Sequence, residues 1–156
     1  MLIRRASLDD MPALAALHRH TVTTSLPFVP QLHTPEEDAW WFSETLFATN
    51  EVWLAEAGGA PVGYIAFRPG FIEHLFVDPA LQGAGLGPEL LAKAKAAFAE
   101  LSLWTFQQNL RARAFYEKHG FDVLMETDGA DNDEKLPDVL YRWRRDGAEA
   151  GPAAPV

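Results

Sequence analysis

Apolar and polar positions change period along this chain in a way that sorts it into alternating strands and helices. Leu2 to Arg5 has the short alternation of a strand. Ser7 then caps a predicted helix from about Leu8 to His20, with Asp9 and Asp10 in its first turn and Met11, Leu14, Ala15 and Leu17 as the buried stripe. His18 and His20 read as surface or rim positions. Thr34-Pro35-Glu36-Glu37 is a second helix start, with Thr34 as N-cap, Pro at the first helical position and Glu37 closing a capping box. That helix runs to about Ala48 and carries Trp40, Trp41 and Phe42, which cannot share one face. Between the two helices, Thr23 to His33 is apolar for a loop. Glu51 to Glu56 and Pro61 to Arg68 are strands around the hairpin signal Gly58-Gly59, and Pro69-Gly70 turns into a strand over Phe71 to Val77. Glu89 to Glu100 reads as helix, Leu101 to Phe106 as strand, and Leu110 to His119 as a helix ended by Gly120. Phe121 to Thr127 and Asp138 to Arg144 are the last strands. The acidic connection between them reads first as a solvated loop and second as an acceptor contact. The alternation predicts an α/β fold with a mixed sheet, as one domain over residues 1–145 and a disordered tail over 146–156.

Composition narrows the function classes. At 156 residues, 48% apolar and 22% charged, the chain suits one globular domain. No apolar run approaches the ~18 residues of a membrane span, and the start carries no signal-peptide pattern, so a cytoplasmic protein with no membrane partner is expected. With no cysteine, disulfides, thiolate metal sites and a Cys nucleophile are excluded, and no metal is expected. A net charge of −9 argues against nucleic acid. It would suit a cationic ligand, but solubility is the more common reason for such a surface.

The candidate chemistry lies where the strand Phe71 to Val77 meets Gln82-Gly83-Ala84-Gly85-Leu86-Gly87 and a helix. Glycine allows close backbone approach, and the first N–H groups of a helix have no internal acceptors, so the turn is suited to phosphate. The nucleotide-triphosphate loop is excluded because Pro88-Glu89 stand where Lys and Ser or Thr are needed, and the dinucleotide fingerprint because its glycine spacing differs. Downstream, Asn109 is followed by Ala112, Phe115-Tyr116-Glu117-Lys118 and Gly120-Phe121. Together the Q-x-x-G-x-G loop and N-x-x-A-x-x-F-Y-E-K-x-G-F resemble the two signatures of the GCN5-related N-acetyltransferases, in the order in which that family has them.

The resemblance extends from Ile3 to Trp143. It implies a sheet flanked by about four helices and splayed between the strands at Phe71 and Leu101, where unpaired backbone could hydrogen-bond the amides of acetyl-CoA as if they belonged to another strand. It also implies transfer of acetyl from acetyl-CoA, as cosubstrate, to a small-molecule amine or peptide by direct attack. Leu75, Phe76, Val77, the loop Gln82 to Gly87, Asn109 and Tyr116 would bind the cosubstrate, with Arg111 or Arg113 assisting at phosphate. Pro88 removes one phosphate donor. Tyr116 matches the tyrosine that meets the CoA sulfur, and Leu75 or Phe76 would supply the N–H for the oxyanion. Asn109 also reads as a helix cap. Glu73 is the first candidate base, placed by alternation on the face of Leu75 and Val77, although histone-acetylating members carry their glutamate at the position of Phe71. His74, on the opposite face, is the competing base. The segment Thr23 to His33 would wall the acceptor pocket. Dimers are common among similar proteins, so a homodimer is the oligomer suggested. The rival reading is a non-catalytic acyl-CoA-binding module that meets a partner through Trp40-Trp41.

Overall fold

The computed structural model describes residues 1–146; the tail expected to be disordered lies, from residue 147 on, outside the described residues. Seven strands form one sheet in the order β1-β2-β3-β4-β5-β7-β6. They are β1 (Leu2–Arg5), β2 (Glu51–Ala57), β3 (Ala60–Arg68), β4 (Phe71–Val77), β5 (Glu100–Phe106), β6 (Asp122–Thr127) and β7 (Asp138–Arg144). All neighbours are antiparallel except β4 and β5, which are parallel.

The helices are α1 (Met11–Ser25), α2 (Pro35–Trp41), α3 (Phe47–Thr49), α4 (Leu86–Ala97) and α5 (Leu110–Lys118). A 3-10 turn, Leu8–Asp10, precedes α1, so the first predicted helix is displaced and runs on to Ser25. The capping box at Thr34 is formed in both directions: the Glu37 N–H donates to Thr34 Oγ1 at 3.1 Å and the Thr34 N–H to Glu37 Oε1 at 2.9 Å. One π-helical turn, Phe42–Leu46, joins α2 to α3. It turns Phe42 and Leu46 into the core while Trp40 stays 64% exposed.

Alternation along β3 assigns the two layers. Ile65 and Phe67 pack with Leu90, Leu91 and Ala94 of α4 and Tyr116 of α5. Tyr64 and Ala66 pack on the other face with Met11, Leu14 and Ala15 of α1 and with Phe42 and Leu46. All four of these β3 residues are fully buried, as expected of a strand covered on both faces.

Two irregularities shape the centre. β4 and β5 share the single Cα pair Phe71↔Ser102, after which the strands diverge. In the β3–β4 ladder Ala66 pairs with His74 but Phe67 with Ile72, so Glu73 is the extra residue of a bulge. The bulge breaks the alternation. Ile72 and Leu75 consequently pack into the same cluster, and Glu73 does not share the face of Leu75 and Val77 that strict alternation predicts.

Candidate active site at the splay of the sheet

The direction of each β4 amide follows from the ladder. The Asp78 N–H donates to Val62 O at 2.8 Å, so the Asp78–Val62 pair is a hydrogen-bonded one. Hydrogen-bonded and open pairs alternate in an antiparallel ladder, so Phe76↔Tyr64 and His74↔Ala66 are bonded pairs, while Val77↔Gly63 and Leu75↔Ile65 are open ones. Leu75 and Val77 therefore turn their N–H and C=O groups away from β3, into the gap left by β5. The Val77 carbonyl accepts from Gln82 Nε2 at 3.2 Å on that side. Phe76 commits its amide to β3 and is not an oxyanion donor; its ring stands edge-on to His18 at 4.7 Å. Of the two sequence candidates, Leu75 has the available N–H.

At the end of the gap the glycine loop enters α4. Gly83 and Gly85 both have φ of +89°, a region costly for any residue with a Cβ. Among the described residues, the N–H groups of Gly83, Gly85, Leu86 and Gly87 meet no backbone acceptor, whereas Ala84 N–H donates to Leu81 O at 3.3 Å. At Gly87 a Cβ would come within 3.0 Å of the Phe115 ring, so the helix start and α5 touch through the missing side chain. The Arg111 guanidinium reaches within 4.0 Å of the Cβ position of Gly83. Arg113 is turned away, donating to Tyr141 Oη at 3.1 Å and to Glu126 at 3.2 Å. Open amides on β4, free N–H groups at a helix start and a guanidinium beside them fit the amide arm and phosphates of CoA. Pro88 occupies the first turn of α4 without interrupting it.

Tyr116 is 7% exposed and packs against Phe115, Phe121 and Tyr141. Burial pushes its phenol well above the usual value, so it stays neutral and is suited to donating a hydrogen bond. Asn109 caps α5, accepting from the Ala112 N–H at 3.2 Å, which leaves its amide NH₂ as the group available for a ligand.

The two candidate bases have different surroundings. Glu73 sits 3.3 Å from the Arg68 guanidinium, which also covers the Phe71 ring at 4.5 Å. His74 lies among Tyr64, Trp41, Phe42 and Phe76, with its Nδ1 2.9 Å from Tyr64 Oη. The other side of that hydroxyl meets His18 Nδ1 at 3.1 Å, and the two imidazoles are stacked at 4.7 Å with 4° between their planes. Desolvation lowers His18 to about 4, and desolvation together with His18 holds His74 well below the ordinary imidazole value. Both are neutral at pH 7. Of the two histidines read from the sequence as surface or rim positions, His18 is half-buried within the cluster and His20 is exposed.

In front of this cluster is a cavity of about 720 Å³ lined by His18, His74, Trp40, Trp41 and Phe42 and by five carboxylates, Glu36, Glu37, Asp38, Asp133 and Glu134. A smaller one of about 150 Å³ adjoins it, walled by Val22 of α1 and by Val29, Pro30 and Leu32 of the apolar loop. Arg19 pins that loop, donating to Asp38 at 2.9 Å, to Gln31 at 2.8 Å and to the His33 carbonyl at 2.6 Å. The β6–β7 connection is an ordered part of the wall. Asn132 donates to Leu136 O at 2.7 Å, Gln107 donates to the carbonyls of Thr127 and Asp138, and Thr127 bonds Asp138. At Gly129 a Cβ would lie 2.2 Å from Leu136 O, so only glycine closes this loop. Asp133, which is exposed, and Glu134, which is half-buried, line the cavity from this connection. Composition could have signalled this through the Gly129 and Asn132 turn residues, but spacing alone does not say what a loop faces.

Among the described residues no group of three His, Asp or Glu side chains could hold a metal ion, and no helix is long and apolar enough to cross a membrane.

Comparison with known proteins agrees with this geometry. The chain is 31% identical over 141 residues to the probable N-acetyltransferase Rv2775 of Mycobacterium tuberculosis, covering 78% of this chain and 79% of that one. It is 27% identical over 149 residues to the peptidyl-lysine N-acetyltransferase YiaC of Escherichia coli, covering 91% and 96%. The fold matches that of yncA from Salmonella typhimurium, solved with its cofactor acetyl-CoA, with a TM-score of 0.71 and 20% identity over 99% of both chains. The family model of the GNAT acetyltransferases matches residues 14–121. The chain belongs to the acetyltransferase (GNAT) family, and is an acetyl-CoA-dependent N-acyltransferase.

Proposed function

We propose that this enzyme acetylates a cationic primary amine, either a small polyamine-like molecule or a lysine side chain in a peptide, by direct attack within a ternary complex. The observation that carries the reading is the acidic cavity. Five carboxylates line it, Lys and Arg are missing from its lining, and His74 forms part of its wall next to the open amides of β4. That YiaC is a peptidyl-lysine acetyltransferase supports an amine of this charge.

In this reading acetyl-CoA supplies a thioester carbonyl as the electrophile. Val77 and the amides of Gly83, Gly85, Leu86 and Gly87 hold its arm and phosphates, with Gln82, Ala84 and Asn109 shaping the loop and Arg111 adding charge. The Leu75 N–H stabilises the charge that develops on the carbonyl oxygen, an interaction whose loss typically costs 10²-fold or more. Tyr116 donates a hydrogen bond to the departing sulfur. A phenol raised by burial protonates a thiolate poorly, so stabilisation in place is its role. The amine must shed a proton, because an alkyl ammonium of pKa ~10.4 cannot attack. His74 is the group positioned to accept it, since Glu73 is engaged by Arg68.

The test is CoA release from acetyl-CoA with a panel of polyamines, lysine peptides, neutral amino acids and aminoglycosides against a no-acceptor control. Turnover confined to cationic amines is the expected result. Preference for neutral or anionic acceptors overturns the reading.

A further inference from the structure

The Tyr64 hydroxyl stands between two histidines and has one hydrogen to give. It lies 2.9 Å from His74 Nδ1 and 3.1 Å from His18 Nδ1. A hydroxyl that donates to one imidazole nitrogen must accept from the other. One of the two rings therefore carries its hydrogen on Nδ1 and presents a bare Nε2, while the other has a bare Nδ1 and a hydrogen on Nε2. Tyr64 is fully buried and its phenol is pushed well above the usual value, so it stays neutral. His74 lines the large cavity; His18 lines both it and the small one, whose rim residues Thr23, Gln31 and Leu32 are exposed.

We propose that His74, Tyr64 and His18 form a proton relay that carries the proton of the attacking amine from the large cavity to the small one. The inference rests on the acetyltransferase reading above. The amine N–H bond breaks as His74 Nε2–H forms. His74 Nδ1–H passes to Tyr64 Oη, the original Tyr64 hydrogen passes to His18 Nδ1, and His18 Nε2–H leaves to water. The two rings have exchanged tautomers, and Tyr64 is again a neutral phenol. Between turnovers the chain resets when His74 Nε2 gives its hydrogen to water and His18 Nε2 takes one from water, while the hydrogens on Nδ1 and Oη shift back. No charge is left on the protein at any stage, which suits an enclosure of Phe42, Phe76 and Trp41 where a trapped imidazolium is disfavoured. The charged groups that face His18 are Asp38 from α2, which favours its protonation, and Arg19 on its own helix, which opposes it. His33, Asp133 and Glu134 line the same cavities. In this scheme His74 touches the acceptor, whereas Tyr64 and His18 act through it and are positioning residues.

Tyr64→Phe and His18→Gln separate this role from packing. With the best acceptor from the amine panel, each is expected to lower kcat about 10²-fold at pH 7. The KM for acetyl-CoA stays unchanged. The deficit shrinks toward pH 10, where roughly a third of the amine is already neutral, and a structural defect does not behave that way. A Tyr64→Phe enzyme that is folded and has wild-type kcat at pH 7 overturns the relay, as does a loss that is constant across pH. Imidazole ¹⁵N spectra of the wild-type protein without substrate form an independent arm: the Nδ1–H populations of His18 and His74 are expected to sum to one. If both rings are Nε2–H tautomers the relay is overturned, whatever the activity. Failure of every amine to turn over refutes the acetyltransferase reading instead, and the tautomer measurement still decides the relay.

Discussion

Phe71 and Ser102 form the single Cα pair between β4 and β5, and the Ser102 N–H donates to Gly70 O at 2.9 Å just beside it. Beyond this point the strands separate, and the Leu75 and Val77 amides are left without a ladder partner. An edge exposed at the centre of a sheet is ordinarily a hazard, and in the proposed reading it is the surface that takes acetyl-CoA.

Hydrogen exchange should read that edge residue by residue. The amides of Leu75 and Val77 have no ladder partner, while those of His74 and Phe76 face β3. In the free protein Leu75 and Val77 are expected to exchange much faster than His74 and Phe76, and saturating acetyl-CoA should slow the first pair selectively. Equal protection of all four amides in the free protein would show that the register of amide directions is wrong.

Much of this was legible in the sequence, and the failures have identifiable causes. Strand and helix order came from hydrophobic periods, the glycine loop from its residue types and place between strand and helix, and Tyr116 from the resemblance of its motif to the family signature. The bulge at Glu73 left no trace, because a single extra residue among Phe71-Ile72-Glu73-His74-Leu75 leaves the apolar pattern plausible in either register. That one residue changed the base assignment: alternation favoured Glu73, and the bulge, with Arg68 beside its carboxylate, removed the argument. The His18–Tyr64–His74 cluster was equally hidden. Its members lie 46 and 10 residues apart in the chain and meet only because α1 packs across β3 and β4.

Tyr116→Phe keeps the ring that packs on Phe121 and Tyr141 and removes only the hydroxyl. Turnover is expected to fall about 10- to 100-fold, in the range of a lost hydrogen bond to a developing charge. Acetyl-CoA affinity, which the proposed reading assigns to backbone groups on β4 and the glycine loop, should change less than twofold. Isothermal titration beside steady-state rates measures both. An unchanged rate would remove the role given to Tyr116.

Burial of two neutral imidazoles makes stability depend on pH with a definite sign. His18 is lowered from 6.5 to about 4 and His74 lies well below its ordinary value, so below pH 6.5 the unfolded chain binds protons that the folded chain refuses. Stability is therefore full above that value and falls as pH drops toward 4, with a slope approaching ~2.7 kcal/mol per unit when both rings contribute. Urea midpoints at pH 7 and pH 5 should differ markedly in the wild type. His18→Gln, which cannot charge, should reduce the difference by roughly half. A midpoint independent of pH over this interval contradicts the burial of both rings.

The acidic wall gives the last expectation. Asp133 and Glu134 reach the cavity on a loop fixed by Gly129 and Asn132, and Glu36 stands opposite them at the start of α2. Carboxylates that bind a cation before reaction lower KM without entering the chemical step. The double variant Asp133→Asn, Glu134→Gln is expected to raise KM for a cationic acceptor about 10-fold, with kcat nearly unchanged and acetyl-CoA binding intact. Raising ionic strength from 0.05 to 0.5 M should raise the wild-type KM in the same direction, because it shortens the Debye length from roughly 14 to 4 Å and screens these partly exposed charges. The variant should respond less to salt, since it has fewer charges to screen. Steady-state kinetics on the two enzymes at both salt concentrations make the comparison. If the variant and the wild type show the same KM and the same salt dependence, the acceptor's charge is recognised elsewhere.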